Sequence, residues 1–217
     1  LALGFDGQLK LFRLATPVIA LAFTAITVFL LVIDLKRPDR FHYILLKPNL
    51  KSWLVLGGYI LMLYAALALG WLLWGRSYGA VPLVIVGASA VLALGAAGYS
   101  AFLFAQAKGR DLWQSRLFFW ILLTQALTAG ASVLVVCAIS QEVGPELIST
   151  LAKLLAVSLA ANAVLLLLEV GLRPASEDAR RATALLIKGA LKEGFWTGAM
   201  GFGGLLPLAL LLGSGFR

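Results

Sequence analysis

Six uninterrupted apolar stretches run through this chain of 217 residues. A helix needs about 20 apolar residues to cross the ~30 Å hydrocarbon core of a bilayer. Inside lipid every backbone polar group must find a partner, and a helix provides those partners within its own segment. The sequence therefore predicts an all-α integral membrane protein, a multi-helix transmembrane bundle in a single domain. The six predicted spanning helices cover about residues 14–33, 53–74, 81–106, 117–139, 147–170 and 195–212.

The composition excludes the common soluble classes of protein. Hydrophobic residues make up 61% of the chain and charged residues 13%, whereas a soluble domain has about 45–50% apolar and about 25% charged residues. Soluble enzymes and DNA-binding domains are therefore excluded. The net charge of +8 does not indicate nucleic acid as a partner, because Lys and Arg concentrate in the cytoplasmic loops of membrane proteins.

The basic residues are distributed unevenly between the two ends of the predicted helices. Three alternate connections, after the first, third and fifth spans, carry five, three and five of the 18 Lys and Arg residues. The positive-inside rule places such connections in the cytoplasm. The sequence therefore predicts that these three connections share one side of the membrane.

The segment 176–192, between the last two spans, differs from the rest of the chain. Ser176 is a residue type that caps a helix, and the two acidic residues after it suit the positive end of the helix dipole. Leu185, Leu186 and Leu191 share a broad apolar side, while Arg180, Arg181, Lys188 and Lys192 are charged. This pattern predicts an amphipathic helix at the membrane interface, and a solvated loop helix is the alternative.

The chain has too few ligands for an internal metal centre. His42 and Cys137 are each the only residue of their type. A bis-histidine haem needs two imidazoles, and a structural zinc site usually needs four Cys or His ligands. We therefore expect no haem or metal in this chain, so any redox metal of its complex belongs to a partner.

The connection after the first span is the most distinctive polar stretch. Arg37, Asp39 and Arg40 follow closely after Asp34 at the predicted helix end. A charged loop at the membrane surface suits the binding of a polar headgroup or the docking of a soluble subunit. The alternative is a basic loop that only sets the topology, with the two aspartates neutralising arginines.

This stretch resembles the membrane-subunit family of polysulfide reductase and NrfD-type proteins. The family hallmark is Asp-Leu-Gly-Arg-Pro, then Arg-Phe, then Pro-Asn and Ser before the next helix. The matching residues are Asp34-Leu35-Lys36-Arg37-Pro38, Arg40-Phe41, Pro48-Asn49 and Ser52. Lys36 departs from the family, which has Gly there. Segments 99–132 and 194–212 are also similar to the family, so the resemblance covers most of the chain from about residue 14.

The resemblance implies a quinone-interacting anchor that is not catalytic by itself. Family members exchange electrons between menaquinone or ubiquinone and a ferredoxin-like, four-cluster iron–sulfur subunit. A molybdopterin-type or other catalytic subunit often lies beyond it. The implied location is the inner membrane of a prokaryote. Family members have eight or more spanning helices, so we expect a first and a last helix outside this sequence.

A quinone site needs an apolar slot, hydrogen-bonding groups for the carbonyls and a proton-exchanging group near water. Asp34 and His42 suit proton exchange, since His titrates near neutral pH. Tyr99 and Gln106 are seven residues apart and hence on one face of the third span. Trp113 and Gln114 lie in the connector that follows. Interfacial anchoring is the alternative role for these side chains.

Glu169 and Asn162 are candidate functional residues among the polar residues of the fifth predicted span. Glu169 is one turn from its end, and Asn162 is two turns deeper on the same face. A carboxylate there suits a proton path, and snorkelling to the interface is the alternative. Thr124, Thr128 and Ser132 recur every four residues on the fourth span, where we expect bonds to their own helix or to a neighbour.

Two other functions remain open from the residues alone. A transporter of an ion or small solute would have broken helices at matching positions of two inverted halves, and no such pair is evident in the sequence. An anchor without a quinone site is the other alternative.

Overall fold

The computed structural model describes residues 10–35, 46, 48–107, 114–172 and 176–215. These residues form six helices that are long and apolar enough to span a membrane, and one shorter helix. The described ranges contain no strand. The prediction of an all-α, multi-pass membrane bundle is confirmed. The helices are α1 (Leu11–Ile33), α2 (Trp53–Tyr78), α3 (Leu83–Ala105), α4 (Phe118–Ser140), α5 (Pro145–Gly171), α6 (Glu177–Ile187) and α7 (Gly194–Gly213).

The helix ends differ from the predicted bounds by a few residues. The largest difference is at α2, which continues through Arg76 and ends at Tyr78. Gly79 stops it with φ of +82°, a conformation that residues with a Cβ rarely adopt. The helix α5 begins earlier than predicted, at Pro145, because the first position of a helix tolerates a missing N–H.

Large apolar side chains remain exposed along the spans. Phe29 is 64% exposed, Val84 79% and Phe202 71%. In water such surfaces would drive aggregation, but lipid chains or further helices cover them at no hydrophobic cost. The exposure is therefore the expected condition of membrane-facing helices.

The chain divides into two compact units, of which the first covers residues Leu1–Leu103. In this unit α1 packs along α2. The indole N–H of Trp71 on α2 donates to the carbonyl of Phe12 at 3.0 Å, which ties the start of α1 to α2. Trp53 at the start of α2 stacks on Phe102 of α3, with ring centroids 4.5 Å apart.

The second unit covers residues Phe104–Arg217. Its centre is α5, which packs extensively on α4 and also contacts α7. Leu155 and Leu159 of α5 form one buried cluster with Ala131 of α4. Phe195 and Met200 of α7 form another with α5. The side chains of α5 therefore hold this unit together.

The short helix α6 begins as the sequence predicts. The Ser176 hydroxyl accepts a hydrogen bond from the backbone N–H of Ala179 at 3.1 Å. Arg180 and Arg181 both pair with Glu177, at 2.8 Å and 3.6 Å. Leu186 packs against the cluster around Phe195. The helix itself is confirmed, and its position at the membrane interface stays a prediction.

Two segments wind more widely than an α-helix. Leu11–Ala15 at the start of α1 and Gly194–Leu205 in α7 are π-helices. The bond from Leu206 N–H to the carbonyl of Gly201 spans five residues. Five glycines in this part of α7 reduce the side-chain packing that favours α-helical geometry. Segments of π-helix are frequent at functional sites.

Candidate functional site

Asp34 lines a groove on the first unit. It is the residue that ends α1, and its N–H donates to the carbonyl of Leu30 at 3.0 Å. Its carboxylate is exposed. The groove measures about 500 Å³ and is lined by Thr27, Leu30, Leu31, Ile33, Asp34 and Tyr99.

Tyr99 supplies the wall of the groove that comes from α3. Its side chain is only 6% exposed. The ring lies directly against the backbone of α2 at Gly57, where a Cβ would stand 3.0 Å from Cγ of the ring and nearer still to Cδ2 and Cε2. The missing side chain of Gly57 therefore sets how deeply the Tyr99 ring enters.

One stripe of α1 forms the other wall. Thr27, Leu30, Leu31 and Asp34 follow the spacing i, i+3, i+4, i+7 and so share a helix face. The leucines make an apolar slot between a hydroxyl at one end and a carboxylate at the other. The Thr27 hydroxyl donates to the carbonyl of Phe23 at 2.8 Å.

The groove brings together two of the residues that the sequence singles out, Asp34 and Tyr99. It adds Thr27, which the sequence pattern alone does not single out. The signal was available, because Thr27 lies seven residues before Asp34 in an otherwise apolar helix. The missing information was which face of α1 meets Tyr99.

Several of the candidate residues lie outside the described ranges. They are Arg37, Asp39, Arg40, His42 and Trp113. Their proposed roles in partner docking, proton exchange and quinone contact stay predictions.

Gln106 and Gln114 belong to the second unit. Gln106 is exposed in the turn after α3. The Gln114 amide donates a long hydrogen bond, 3.4 Å, to the carbonyl of Ala107. This bond links the two ends of the connector between α3 and α4.

Glu169 and Asn162 of α5 both have hydrogen-bonding partners in the second unit. The Ser115 hydroxyl donates to a carboxylate oxygen of Glu169 at 2.5 Å. The Thr124 hydroxyl lies 3.3 Å from Oδ1 of Asn162. Since Asn162 and Glu169 are seven residues apart on α5, these contacts form a polar line along the interface with the neighbouring segments.

The hydroxyls of α4 bond mainly to their own helix, as predicted. Thr128 donates to the carbonyl of Thr124, and Ser132 to that of Thr128, each at 2.8 Å. Such bonds satisfy a hydroxyl that would otherwise face lipid unpaired.

A second groove, of about 560 Å³, lies along the π segment of α7. Its lining is almost wholly apolar and has no charged side chain: Trp196, Thr197, Gly201, Phe202, Leu205 and Leu206. It offers a lipid or another helix a surface, but no group for proton exchange. The Asp34 groove is therefore the better candidate for chemistry.

The described part of the chain brings no three His, Cys, Asp or Glu residues close enough to hold a metal ion. The Asp34 groove itself holds a carboxylate, a phenol and a hydroxyl, which are groups for hydrogen bonding and proton exchange.

One comparison with known proteins gives a match. The family described as "Polysulphide reductase, NrfD" matches residues 7–214, nearly the whole chain. Neither a curated protein nor a solved structure matches it.

Proposed function

Because the chain belongs to the NrfD family of polysulphide reductase, whose members are membrane subunits of quinone-linked oxidoreductases, we propose that it is the quinone-reactive anchor of a respiratory complex. Members of the family generally associate with iron–sulfur and catalytic subunits. In this proposal the chain passes electrons between menaquinone or ubiquinone and a four-cluster iron–sulfur partner. A molybdopterin-type subunit completes the complex, which lies in the inner membrane of a prokaryote.

The observation that carries the proposal is the groove that joins Asp34 and Tyr99. Its two leucines and Ile33 suit a planar, apolar ring, and Thr27, Asp34 and Tyr99 add three polar side chains to the lining. Small-molecule sites have this character, with apolar walls and a few convergent polar groups. The residues present therefore fit a quinone ring.

The side chains have distinct roles in the proposed site. The Tyr99 hydroxyl donates a hydrogen bond to an oxygen of the ring or accepts one from it. The Asp34 carboxylate lies at the end of its helix and is exposed, so it exchanges protons with water while facing the slot. When bound, quinone supplies the two-electron, two-proton chemistry that an all-protein groove lacks.

The experiment is Asp34→Asn in the assembled complex, with quinone-coupled turnover as the readout. The change removes a proton-exchanging group but little volume. A positioned acid or base contributes about 10²–10⁴-fold to a rate, so we expect turnover to fall at least about tenfold. Asp178→Asn, an exposed carboxylate on α6, is the matched control. His42→Ala tests the other proposed proton-exchanging group.

Unchanged turnover in both Asp34→Asn and His42→Ala, in normally assembled complex, would contradict the proposal. The two alternatives, a solute transporter and a purely structural anchor, both predict that result. Solute uptake by vesicles that contain the chain would then favour the transporter.

We propose in addition that Glu169 and Asn162 belong to a proton path. The supporting observation is that each has a hydroxyl partner, Ser115 and Thr124 respectively, which places two polar pairs on one side of an otherwise apolar helix. Glu169→Gln keeps an acceptor for Ser115 but removes the exchangeable proton. We expect slower proton uptake in proteoliposomes than in the Glu146→Gln control on the same helix, and equal rates would contradict this role.

A further inference from the structure

Arg13 carries a positive charge that no other described residue balances. It lies in the π segment at the start of α1 and is partly buried. Among the described residues, no acidic side chain lies within ion-pair distance of it. Its Nε is buried and has no hydrogen-bond partner within the described ranges. Because taking an unpaired charge out of water costs free energy, this position favours the binding of an anion.

Glycines of α2 leave room for the Arg13 side chain. A Cβ on Gly75 would lie 2.7 Å from Cγ of Arg13, and a Cβ on Gly79 would lie 3.6 Å from Nη1. The guanidinium therefore lies beside the C-terminal end of α2. The indole of Trp71 holds the backbone immediately before Arg13, through its bond to the carbonyl of Phe12. A cation that is already held in place loses less conformational entropy when it binds a ligand.

Two further cations lie at the same end of the first unit. Lys10 precedes Arg13 by three residues, and Arg76 lies in the last turn of α2, directly after Gly75; both cations are exposed. Asp34 is the one acid among the described residues of this unit, and it lies about 30 Å further along α1. This end of the unit therefore has a positive potential. Phosphate oxygens match the planar donors of a guanidinium and form charge-assisted hydrogen bonds with it.

The aromatic residues of α2 indicate that this end lies at the level of the lipid headgroups. Trp74 and Tyr78 are exposed, and their ring centroids lie 4.8 Å apart. Trp and Tyr concentrate at the boundary between hydrocarbon and headgroups. Arg and Lys side chains near helix ends extend to the same level. The anion that a bilayer offers at this level is the phosphate of a phospholipid.

We propose that Arg13, together with Lys10 and Arg76, binds the phosphate of an anionic phospholipid at this end of α1 and α2. Phosphatidylglycerol, whose only charge is its phosphate, has this chemistry. Arg13 supplies donors that are held in place, and the two exposed cations add electrostatic attraction. The site lies at the opposite end of α1 from Asp34, so the proposal is separate from the quinone groove and does not rest on the proposed function.

The test measures lipid binding by the purified, delipidated complex. Phosphatidylglycerol, phosphatidylcholine and inorganic phosphate are titrated separately; native mass spectrometry counts bound lipids and thermal unfolding gives Tm. Arg13→Gln is the main variant, because glutamine has no charge but keeps the Cβ and Cγ that lie beside Gly75. Arg76→Gln changes an exposed side chain and serves if Arg13→Gln does not assemble. Lys51→Gln, which removes an exposed cation just before the other end of α2, is the matched control.

We expect the unaltered complex to bind phosphatidylglycerol more tightly than the zwitterionic phosphatidylcholine. Arg13→Gln should weaken the binding of phosphatidylglycerol about tenfold. Arg76→Gln should weaken it about threefold to fivefold, and Lys51→Gln should leave it within about twofold of the unaltered complex. The Tm of the unaltered complex should rise with phosphatidylglycerol and not with inorganic phosphate, which has no acyl chains to hold it at the bilayer.

Equal binding of phosphatidylglycerol by Arg13→Gln and by the unaltered complex would overturn the proposal. That result is expected if Arg13 only stabilises the end of α2, or if an acid outside the described ranges, such as Asp6, is its partner. A rise in Tm with inorganic phosphate alone, lost in Arg13→Gln, would overturn the lipid as the ligand. If Arg13→Gln does not assemble, equal binding by Arg76→Gln and Lys51→Gln would be the refuting result.

Discussion

The contact between Gly57 and Tyr99 provides the sharpest test of the groove. A Cβ on Gly57 would stand 3.0 Å from Cγ of the ring and nearer still to two other ring atoms. Ordinary van der Waals contact needs about 3.5–4.0 Å. An aromatic ring cannot bend away from such an overlap, so in Gly57→Ala the whole Tyr99 side chain has to leave its position against α2.

Two opposing effects set the magnitude. Alanine is more favourable than glycine inside a helix by about 0.5–1 kcal/mol. Overpacking of a filled site costs about 1–3 kcal/mol. We expect a net loss of stability of about 1 kcal/mol, which corresponds to a fall of about 2–4 °C in Tm for a chain of this size. Quinone turnover should fall as well, because the displaced ring no longer shapes the slot beside Asp34.

The assay combines thermal unfolding and quinone-coupled turnover of the assembled complex. Gly70→Ala is the control, because it lies on the same helix and a Cβ there meets nothing within 4 Å. Tyr99→Ala in the Gly57→Ala background completes a double-mutant cycle and should remove most of the penalty in Tm. If Gly57→Ala matched Gly70→Ala in both measurements, the packing argument for Tyr99 would be refuted.

Three further predictions follow from other parts of the chain. Gly75→Ala should destabilise the protein by about 1–3 kcal/mol relative to Gly70→Ala, because the new Cβ would lie 2.7 Å from both Cγ and the backbone oxygen of Arg13; a Tm equal to that of the control would contradict it. Cysteines placed at Lys47 and Lys108 should be labelled from the same side of the membrane, and labelling from opposite sides would refute the topology. Metal analysis should find iron in the purified complex but none in the isolated chain. Stoichiometric haem iron in the isolated chain would contradict this prediction.

The helices themselves follow from the sequence. A stretch of about 20 apolar residues has one stable conformation in lipid, since its backbone groups can be satisfied only within the segment. Local chemistry also marks several helix ends. Ser176 caps the start of α6 and Pro145 begins α5, and both effects depend only on residues that are close in the sequence. The sequence did not predict the π winding in α7, because glycines permit wide turns without requiring them.

The candidate site was only half visible in the sequence. Asp34 and Tyr99 are polar or amphipathic residues at the ends or faces of apolar helices, so each could be singled out by itself. Their meeting in one groove depends on how α1 and α3 rotate about their own axes. A uniformly apolar helix does not determine that rotation, because lipid and protein cover its faces equally well.

Tertiary structure alone decided which small contacts matter. Gly57 is one of many glycines in the sequence, and Thr27 one of several hydroxyl residues that bond to their own helix. The first is set apart by the ring that lies against it, and the second by the groove that it lines. The physical reason is the distance along the sequence over which each effect acts. Hydrophobicity and helix capping act within a few residues of the chain. Close packing between helices depends on atoms that lie dozens of residues apart in the sequence and meet only after the helices assemble.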